Sequence, residues 1–306
     1  MSVVRPVGEA TSALAPAAAA GGPARSRGRT ALSYLPHNRS LLVGSVLLLL
    51  VVLIALVVPL ASPGGATAIH GSAAMAGPGG GHLIGADQFG RDLLARVAVG
   101  YRVSLFVALG SVLLGLVVGV PLGLVAATSP KFVDGPLMRV MDVFMAFPLM
   151  LLAIVVVAIV GTGTLALMLA IGVGYIPVLA RVMRAQAMET GQESFVEAAR
   201  ARGASYWRLI VRHIAPNSMG PVIVQATILI AVSIILEAGL SFVGLGVQPP
   251  TPSLGLMLST GRDFMATSAW QVIDPGIAIL LAVLAFTLLG DGLQDWLDPK
   301  RRVIGR

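Results

Sequence analysis

Long apolar runs separated by short polar stretches make up most of this sequence. The first run, residues 41–60, is uninterrupted, and as a helix it is long enough to cross a hydrocarbon core of about 30 Å. Five more runs lie at residues 103–127, 138–160, 164–181, 222–238 and 273–293. Because backbone groups in lipid must bond internally, and these runs do not alternate in polarity, they are predicted to be helices. The pattern predicts an all-α, polytopic membrane protein with six transmembrane helices.

The first apolar run also has a second interpretation, a signal peptide, since Arg39 precedes it and small residues follow it. A retained anchor is favoured because the run exceeds the roughly 7–15 apolar residues of a signal peptide and further spans follow. The preceding residues 1–36 are rich in Ala, Gly and Pro, a composition that offsets little of the entropy of ordering. We therefore predict a disordered cytoplasmic tail at 1–36 and a membrane domain at 37–306.

Composition does not change this predicted fold, but it limits the kinds of functional site that the chain can contain. Of 306 residues, 56% are hydrophobic and 11% are charged, against about 25% charged in soluble domains. The absence of cysteine excludes disulfides and thiolate sites. The net charge of +7 is not accompanied by a basic stripe with interleaved aromatic residues, so nucleic-acid binding is not expected. No carboxylate pair or histidine cluster has a spacing that suggests catalysis or a metal site.

The basic residues orient the predicted helices. With both termini in the cytoplasm, the outer loops hold only four of the 21 Lys and Arg residues, namely Arg91, Arg96, Arg102 and Arg262. Lys and Arg concentrate on the cytoplasmic side of membrane proteins, so this orientation is predicted. It places residues 182–221 in the cytoplasm and residues 61–102 and 239–272 outside.

The second span carries a stripe of small residues. Gly115, Gly119 and Gly123 share one helix face, where another backbone can approach closely. This predicts a packing seam, against another span of the chain or against a partner subunit. Prolines that kink a membrane helix, or are simply tolerated in it, stand within or beside the spans at Pro121, Pro148 and Pro177.

The cytoplasmic segment 182–221 has a helical pattern of its own. Residues 193–201 are good helix formers, Gly203 suits the left-handed position that ends a helix, and Ser205 can cap a second helix. The second helix is predicted to end at Pro216 and to present one apolar face, which consists of Trp207, Ile210, Val211 and Ile214. Periodicity alone fits either an amphipathic hairpin on anionic lipid or a docking element for another protein.

Particular residues of this segment resemble the EAA loop of ABC importer permeases. The matching positions, at the family's spacing, are Glu197, Ala198, Ala199, Gly203 and Pro216. His213 and Ala215 depart from the general pattern, where Ile and Leu are usual. The ending HIAPN instead looks like the HILPN of the peptide-permease branch, which narrows the family.

Other segments support the same resemblance. HLIGADQFGRDLLARVAVGYRVSL, residues 82–105, is similar to the GTDxxGRD stretch of dipeptide and oligopeptide permease C subunits. DVFMAFP, EAGLSFVGLGVQPPTP and LGDGLQDWLDP, at residues 142–148, 237–252 and 289–299, match the same subfamily. The chain thus resembles, over roughly residues 35–300, a C-type permease of the dipeptide, oligopeptide and nickel transport family, which implies a type I ABC importer permease fold.

The resemblance implies a subunit of an ATP-driven importer of di- or oligopeptides, with nickel or another metal chelate as the alternative substrate. The sequence has no G-x-x-x-x-G-K-[ST] phosphate loop, so ATP and Mg are expected on partner subunits, and the chain itself is expected to be non-catalytic and without a cofactor. The implied partners are a homologous B-type permease subunit, two ABC ATPase subunits, an extracytoplasmic substrate-binding protein and membrane lipid. An ATP-independent channel or carrier would instead show intramembrane acidic or histidine relays and no EAA loop.

The resemblance implies that residues 193–201 form a coupling helix, which would sit in a cleft of an ATPase subunit. Glu197 would supply an anionic handle, Ala198 and Ala199 would permit close approach, and Gly203 would permit the sharp exit of the chain.

Charged residues near the spans supply further candidates. Asp87, Arg91 and Asp92 form a possible outer docking or gate element, or they cap and pair locally at a helix. Glu237 is a pathway candidate, because an ionisable group in the membrane is functional by default, or it pairs with a neighbour. Asp142 is expected to pair with Arg139, three residues earlier on the same helix.

Overall fold

The computed structural model of the chain describes residues 38–62, 65–79 and 81–297. Regular structure in these ranges is helical, apart from two isolated β-bridges. The helices are α1 Arg39–Ala61, α2 Leu93–Thr128, α3 Lys131–Ala146, α4 Leu149–Val160, α5 Thr164–Thr190, α6 Ser194–Ala201, α7 Tyr206–Leu209, α8 Ala215–Phe242, α9 Leu254–Gly261 and α10 Trp270–Leu297, with 3-10 turns at Gly71–Ala73 and Arg262–Phe264. The predicted tail at 1–36 lies outside the described residues.

Five helices are long and apolar enough to cross a membrane: α1, α2, α5, α10 and the continuous stretch Tyr206–Phe242. A sixth crossing exists if α3 and α4, which meet at 90°, form one broken span. The predicted continuous helix at 138–160 is therefore wrong. Phe147 is extended, with φ −86° and ψ 133°, because the ring of Pro148 disfavours helical backbone in the residue before it. The all-α, multi-span architecture itself is confirmed.

The glycine stripe of α2 packs against α5. A Cβ atom at Gly119 would lie 2.6 Å from the carbonyl oxygen of Ile176, and one at Gly123 would collide with the carbonyl of Ala180. Backbone-to-backbone contact of this kind needs residues without side chains. The predicted seam is thus internal to the chain, and it joins the two central helices.

Two apolar clusters fill the bundle. One surrounds Tyr175 and Leu179 of α5 and includes residues of α2, α4 and α8. The other joins α1, α2, α9 and α10 around Tyr101 and Phe286. The hydroxyl of Tyr101 donates to the carbonyl of Ala278 at 3.0 Å, and that of Tyr175 donates to Leu229 at 3.2 Å. Each buried phenol thus has a backbone partner on a neighbouring helix.

Helix α1 is held near both of its ends. Pro59 has no N–H, so the carbonyl of Ala55 lacks its usual helical donor. Arg102 of α2 supplies one instead, with its Nε 2.6 Å from that oxygen. At the other end, Asn38 caps α1 through its Oδ1, and its Nδ2 donates to the carbonyl of Gly292 at 3.1 Å.

The segment 239–272, predicted as an outer loop, folds back onto the bundle. Its helix α9 packs against α8, α10 and α2. Leu254 is fully buried beside Gly100, and a Cβ atom at Gly255 would collide with the carbonyl of Ala238. Much of this segment is therefore interior rather than free surface.

Candidate functional site

Helices α6 and α7 form a hairpin between the ends of α5 and α8. The predicted first helix, residues 193–201, is observed as Ser194–Ala201, with Glu193 at the N-cap position. Gly203 has φ +80°, a left-handed conformation that glycine adopts without strain. Its N–H donates to the carbonyl of Arg200, and the next N–H donates to Ala199. The predicted glycine C-cap is confirmed.

The EAA residues divide between surface and interior. Glu197 and Ala198 are exposed, whereas Ala199 is buried with Val196 in an apolar cluster. The same cluster contains residues of α5, α7 and the following turn, namely Ala187, Leu209 and Ile214. Of the two alanines predicted to face a partner, only Ala198 is exposed, and Ala199 packs inside the hairpin.

The predicted stop at Pro216 is wrong. The chain passes through a π-helical turn, Ile210–Ile214, in which the N–H of Ala215 donates to the carbonyl of Ile210, and it continues as α8. A proline ring clashes with the carbonyl four residues earlier in an α-helix, and a wider turn removes that clash. Ser205 occupies the second N-cap position without a side-chain hydrogen bond to the helix.

The wider turn also redistributes the predicted apolar face. Ile210 and Ile214 are buried, whereas Trp207 and Val211 are exposed. A π turn adds about one residue per turn, so residues at α-helical spacing on either side of it no longer share a face. The single apolar face predicted for these four residues is therefore wrong.

A groove lies between this hairpin and the ends of two long helices. Its volume is about 270 Å³, and it is lined by residues that include Thr128 of α2, Met188 of α5 and Arg200 of α6. The hydroxyl of Tyr206 donates to the carbonyl of Thr128 at 3.1 Å. The hairpin is thus tied to α2 as well as to α5 and α8.

Two ion pairs join α3 to α5 near the hairpin. Arg184 donates to both carboxylate oxygens of Asp134, from Nε at 2.6 Å and Nη2 at 2.5 Å. Asp142 pairs with Arg181, so the predicted pairing with Arg139 is wrong. The neighbouring helix presents the guanidinium that Asp142 contacts.

At the opposite end of the molecule, Asp87 organises the loop before α2. This buried carboxylate accepts from the backbone N–H groups of Phe89 and Arg91, both at 2.9 Å, and from Nε of Arg91 at 2.6 Å. Nε of Arg96 lies 3.4 Å from the same group. Asp87 therefore has a local structural role.

Asp92 caps α2 by accepting from the N–H of Ala95 at 2.8 Å, and it contacts Nδ1 of His82 at 3.0 Å. Arg91 also lies over the ring of Phe89, with its Cζ 4.6 Å from the ring centroid. These contacts correspond to the local alternative, capping and pairing, and the gate role stays a prediction.

Glu237 is fully buried near the same end. Its carboxylate accepts from Ser104 of α2 at 2.6 Å and from Ser241 of α8 at 2.8 Å. The spacing of four residues between Glu237 and Ser241 is visible in the sequence. Ser104 lies 133 residues away, and no sequence signal identifies it as a partner.

The sequence matches a known family model and several named transport proteins. Residues 119–303 match the model described as binding-protein-dependent transport system inner membrane component. A putative peptide transport system permease protein of Brucella suis is 43% identical over 271 residues, which cover 89% of this chain and 91% of the relative. The dipeptide transport system permease protein DppC of Alkalihalophilus pseudofirmus is 39% identical, with 90% of each chain covered. The glutathione transport system permease protein GsiD of Pectobacterium atrosepticum is 43% identical, over 73% of this chain and 74% of its own.

Solved structures share the fold. A chain of the MetNI methionine ABC transporter in an inward-facing conformation superposes with a TM-score of 0.56 at 19% identity, over 66% of this chain and 96% of that chain. A chain of an amino acid ABC transporter solved with histidines gives a TM-score of 0.53 at 16% identity, over 66% and 94%. The predicted permease fold is confirmed.

Proposed function

The chain belongs to the family of binding-protein-dependent transport system inner membrane components, and on that premise we propose that it forms half of the pathway of a peptide importer. A homologous B-type permease subunit supplies the other half, and the substrates are di- or oligopeptides. The names of the relatives, which refer to peptide, dipeptide and glutathione transport, support this substrate class.

In this proposal, energy comes from two ABC ATPase subunits that bind ATP and Mg, and this chain contributes no catalytic residue. The observation that carries the assignment is the construction of α6. Its exposed face presents Glu197 and Ala198, and its other face is anchored by Val196 and Ala199. A short helix with one free polar face and one fixed face suits docking on another protein.

The packing of α6 supports a coupling role. Its apolar residues share a buried cluster with Ala187 of α5 and with Ile214, which directly precedes α8, so a push on α6 would reach two membrane helices at once. Helix α5 is joined to α2 by the glycine seam. Displacement of α6 by the ATPase subunits would therefore move these helices as one body, which suits alternating access by rigid-body rocking.

The proposed orientation places both termini and the hairpin in the cytoplasm and the loop around Asp87 outside. There the loop would face an extracytoplasmic substrate-binding protein. Within the loop, Asp87 accepts hydrogen bonds from two backbone N–H groups. These bonds support a surface of fixed shape.

Substitution Glu197→Arg tests the coupling assignment. We expect loss of peptide-stimulated ATPase activity and of uptake, with the chain still present in the membrane, because the sign of the exposed charge is reversed where a cationic partner group is expected. Reconstituted transporter in nanodiscs gives the ATPase rate, and right-side-out vesicles give uptake.

Asp291→Arg provides a matched control, since Asp291 is an exposed acidic residue of α10 outside the hairpin. It should retain both activities. Normal coupled activity in the Glu197→Arg transporter would show that α6 is not the coupling element.

A further inference from the structure

The groove between the hairpin and the ends of α2 and α5 has an apolar floor. Its volume of about 270 Å³ is slightly below the roughly 300–1,000 Å³ of pockets that hold drug-sized ligands. We call this space the hairpin groove. Its apolar lining comes from α2, α5, α7 and the π turn, and consists of Ala127, Ala187, Met188, Leu209, Ile210 and Ile214. A space of this kind suits a small ligand with an apolar side chain that can cover the floor.

One arginine lines the hairpin groove. Arg200 is exposed there, and within the described part of the chain no carboxylate lies at ion-pairing distance from its guanidinium. A guanidinium binds a carboxylate through two parallel N–H···O hydrogen bonds. The cationic group of Arg200 is therefore available to the carboxylate of a ligand in the groove.

Two helix ends at the hairpin groove favour a positive charge. Thr128 is the last residue of α2 and Gly191 is the C-cap of α5, and both line the groove. The last carbonyl groups of a helix lack intrahelical donors and attract cations, yet neither helix has a basic residue in its last turn.

The phenol of Tyr206 adds an acceptor to the same part of the groove. Its hydroxyl donates to the carbonyl of Thr128 at 3.1 Å, and Tyr206 itself lines the groove. A hydroxyl that donates one hydrogen bond keeps lone pairs with which it can accept another. An ammonium group at the end of α2 would thus find both an oxygen acceptor and a favourable helix end.

We propose that the hairpin groove binds a dipeptide in its zwitterionic form. The carboxylate lies on Arg200, the ammonium group lies beside the ends of α2 and α5, and an apolar side chain covers the floor. A simple anion would use only Arg200, and a simple cation would use only the helix ends. The biological source of the ligand rests on the proposed function, since a peptide importer with the hairpin in the cytoplasm releases short peptides on this side.

Protection of a thiol tests this site. The sequence contains no cysteine, and Gln192 is an exposed residue of the groove lining, so Gln192→Cys places a unique thiol of this chain there. In the complete transporter in nanodiscs, glycyl-leucine at ten times its half-protecting concentration should slow maleimide labelling about tenfold, as occupancy requires. Mass spectrometry of this chain measures the rate. Labelling of Gly71→Cys, at the other end of the molecule, should not change.

Two modified dipeptides separate the charges of the ligand. Glycyl-leucinamide lacks the carboxylate, and it should need an about 10–100-fold higher concentration for the same protection, the effect of losing a hydrogen bond between charged groups. N-acetylglycyl-leucine lacks the ammonium group, and it should need about two- to fivefold more, the usual effect of a charge at a helix end.

Substitution Arg200→Gln in the Gln192→Cys chain tests the assigned contact. Protection by glycyl-leucine should weaken about 10–100-fold, whereas protection by glycyl-leucinamide should stay the same, because that probe has no carboxylate to lose a partner. Arg202→Gln is the matched control, since Arg202 is an exposed arginine of the same hairpin that is not among the residues lining the groove. It should leave protection by both probes unchanged.

Several results would overturn the site. These are equal protection by glycyl-leucine and its amide, full protection after Arg200→Gln, or no labelling of Gln192→Cys in the absence of dipeptide, which would show that the groove is covered in the assembled transporter. The proposed function fails separately. Intact coupled activity in the Glu197→Arg transporter would refute the coupling assignment, and thiol protection by glycyl-leucine would still support the groove as a dipeptide site.

Discussion

Glu237 ties two membrane helices together through hydroxyl groups. It accepts from Ser104 of α2 and Ser241 of α8, and among the described residues no Lys, Arg or His lies at ion-pairing distance from it. A buried polar group whose partners are all satisfied rigidifies its surroundings, whereas a half-satisfied group destabilises them. The geometry gives Glu237 the role of a positioning residue between α2 and α8.

Glu237→Leu should destabilise the chain by about 1–2 kcal/mol, because two hydroxyls lose their acceptor. Glu237→Gln keeps an acceptor oxygen and a similar volume, and it should lose less. Thermal unfolding of the purified chain in detergent measures the difference. Equal unfolding midpoints for the Leu variant and the unaltered chain would contradict the tie. Normal stability with lost uptake in the Gln variant would instead support the pathway role predicted from the sequence.

At the residue scale, local chemistry could be predicted and long-range partners could not. Gly203 was identifiable because helix capping depends on a few adjacent residues. The predicted pairing of Asp142 with Arg139 was wrong. Its observed partner, Arg181, lies 39 residues away and is brought alongside only when α3 packs on α5. The helical repeat indicates which residues can pair within one helix, and it carries no information about residues on a second helix.

At the element scale, Pro148 and Pro216 have opposite effects on the helices predicted at their positions. Pro148 breaks the helix, and α3 and α4 separate at 90°. At Pro216 the preceding π turn accommodates the proline, and the helix continues. Next to that turn, the hydroxyl of Ser218 donates to the carbonyl of Ile214 at 2.9 Å and lies 3.0 Å from the hydroxyl of Thr190 of α5. The contact with Thr190 joins a residue 28 positions earlier on another helix, so it cannot be predicted from a local pattern.

The α2–α5 seam predicts a steep response to added volume. Gly119→Ala should cost about 1–3 kcal/mol, the usual range for overpacking, because its Cβ would meet the backbone oxygen of Ile176 at 2.6 Å. Gly276→Ala in α10 is the control, since a Cβ atom there has no atom within 4 Å. The control should be neutral or slightly stabilising, as alanine favours helix. Similar unfolding midpoints for both variants would show that the seam is loose in the membrane.

The whole molecule is asymmetric about its membrane-crossing region. In the most apolar stretch of α5, 56% of the residues are buried within the chain, against 17% in α1. Helix α5 is therefore the central element, and α1 lies at the periphery of the bundle. At one end α5 and α8 carry the hairpin, and at the other α9 closes over the ends of α2 and α8.

The proposed orientation predicts which of these ends is accessible from outside. With no cysteine in the sequence, Gly71→Cys and Gln192→Cys each introduce one thiol at an exposed position. A membrane-impermeant maleimide should label Gly71→Cys in right-side-out vesicles. It should label Gln192→Cys only after permeabilisation, since that residue lies at the hairpin. The opposite result would reverse the orientation.

At this largest scale, the order and number of apolar segments were predictable, because hydropathy is a property of consecutive residues. The folding back of 239–272 was not, since it depends on Leu254 meeting Gly100 of a helix more than 150 residues earlier. Whether a segment can cross the bilayer depends on its own consecutive residues. How one segment packs on another depends on the assembled bundle.

The carbonyl of Ala55, freed by Pro59 and bonded to Arg102, has a consequence for biogenesis. Its donor lies 47 residues further along the chain, so this oxygen has no protein partner while only the first helix has been synthesised. A polar backbone group without a partner is costly in hydrocarbon. The first helix therefore completes its hydrogen bonding only when the second arrives beside it, which favours release of the two from the translocon as a pair.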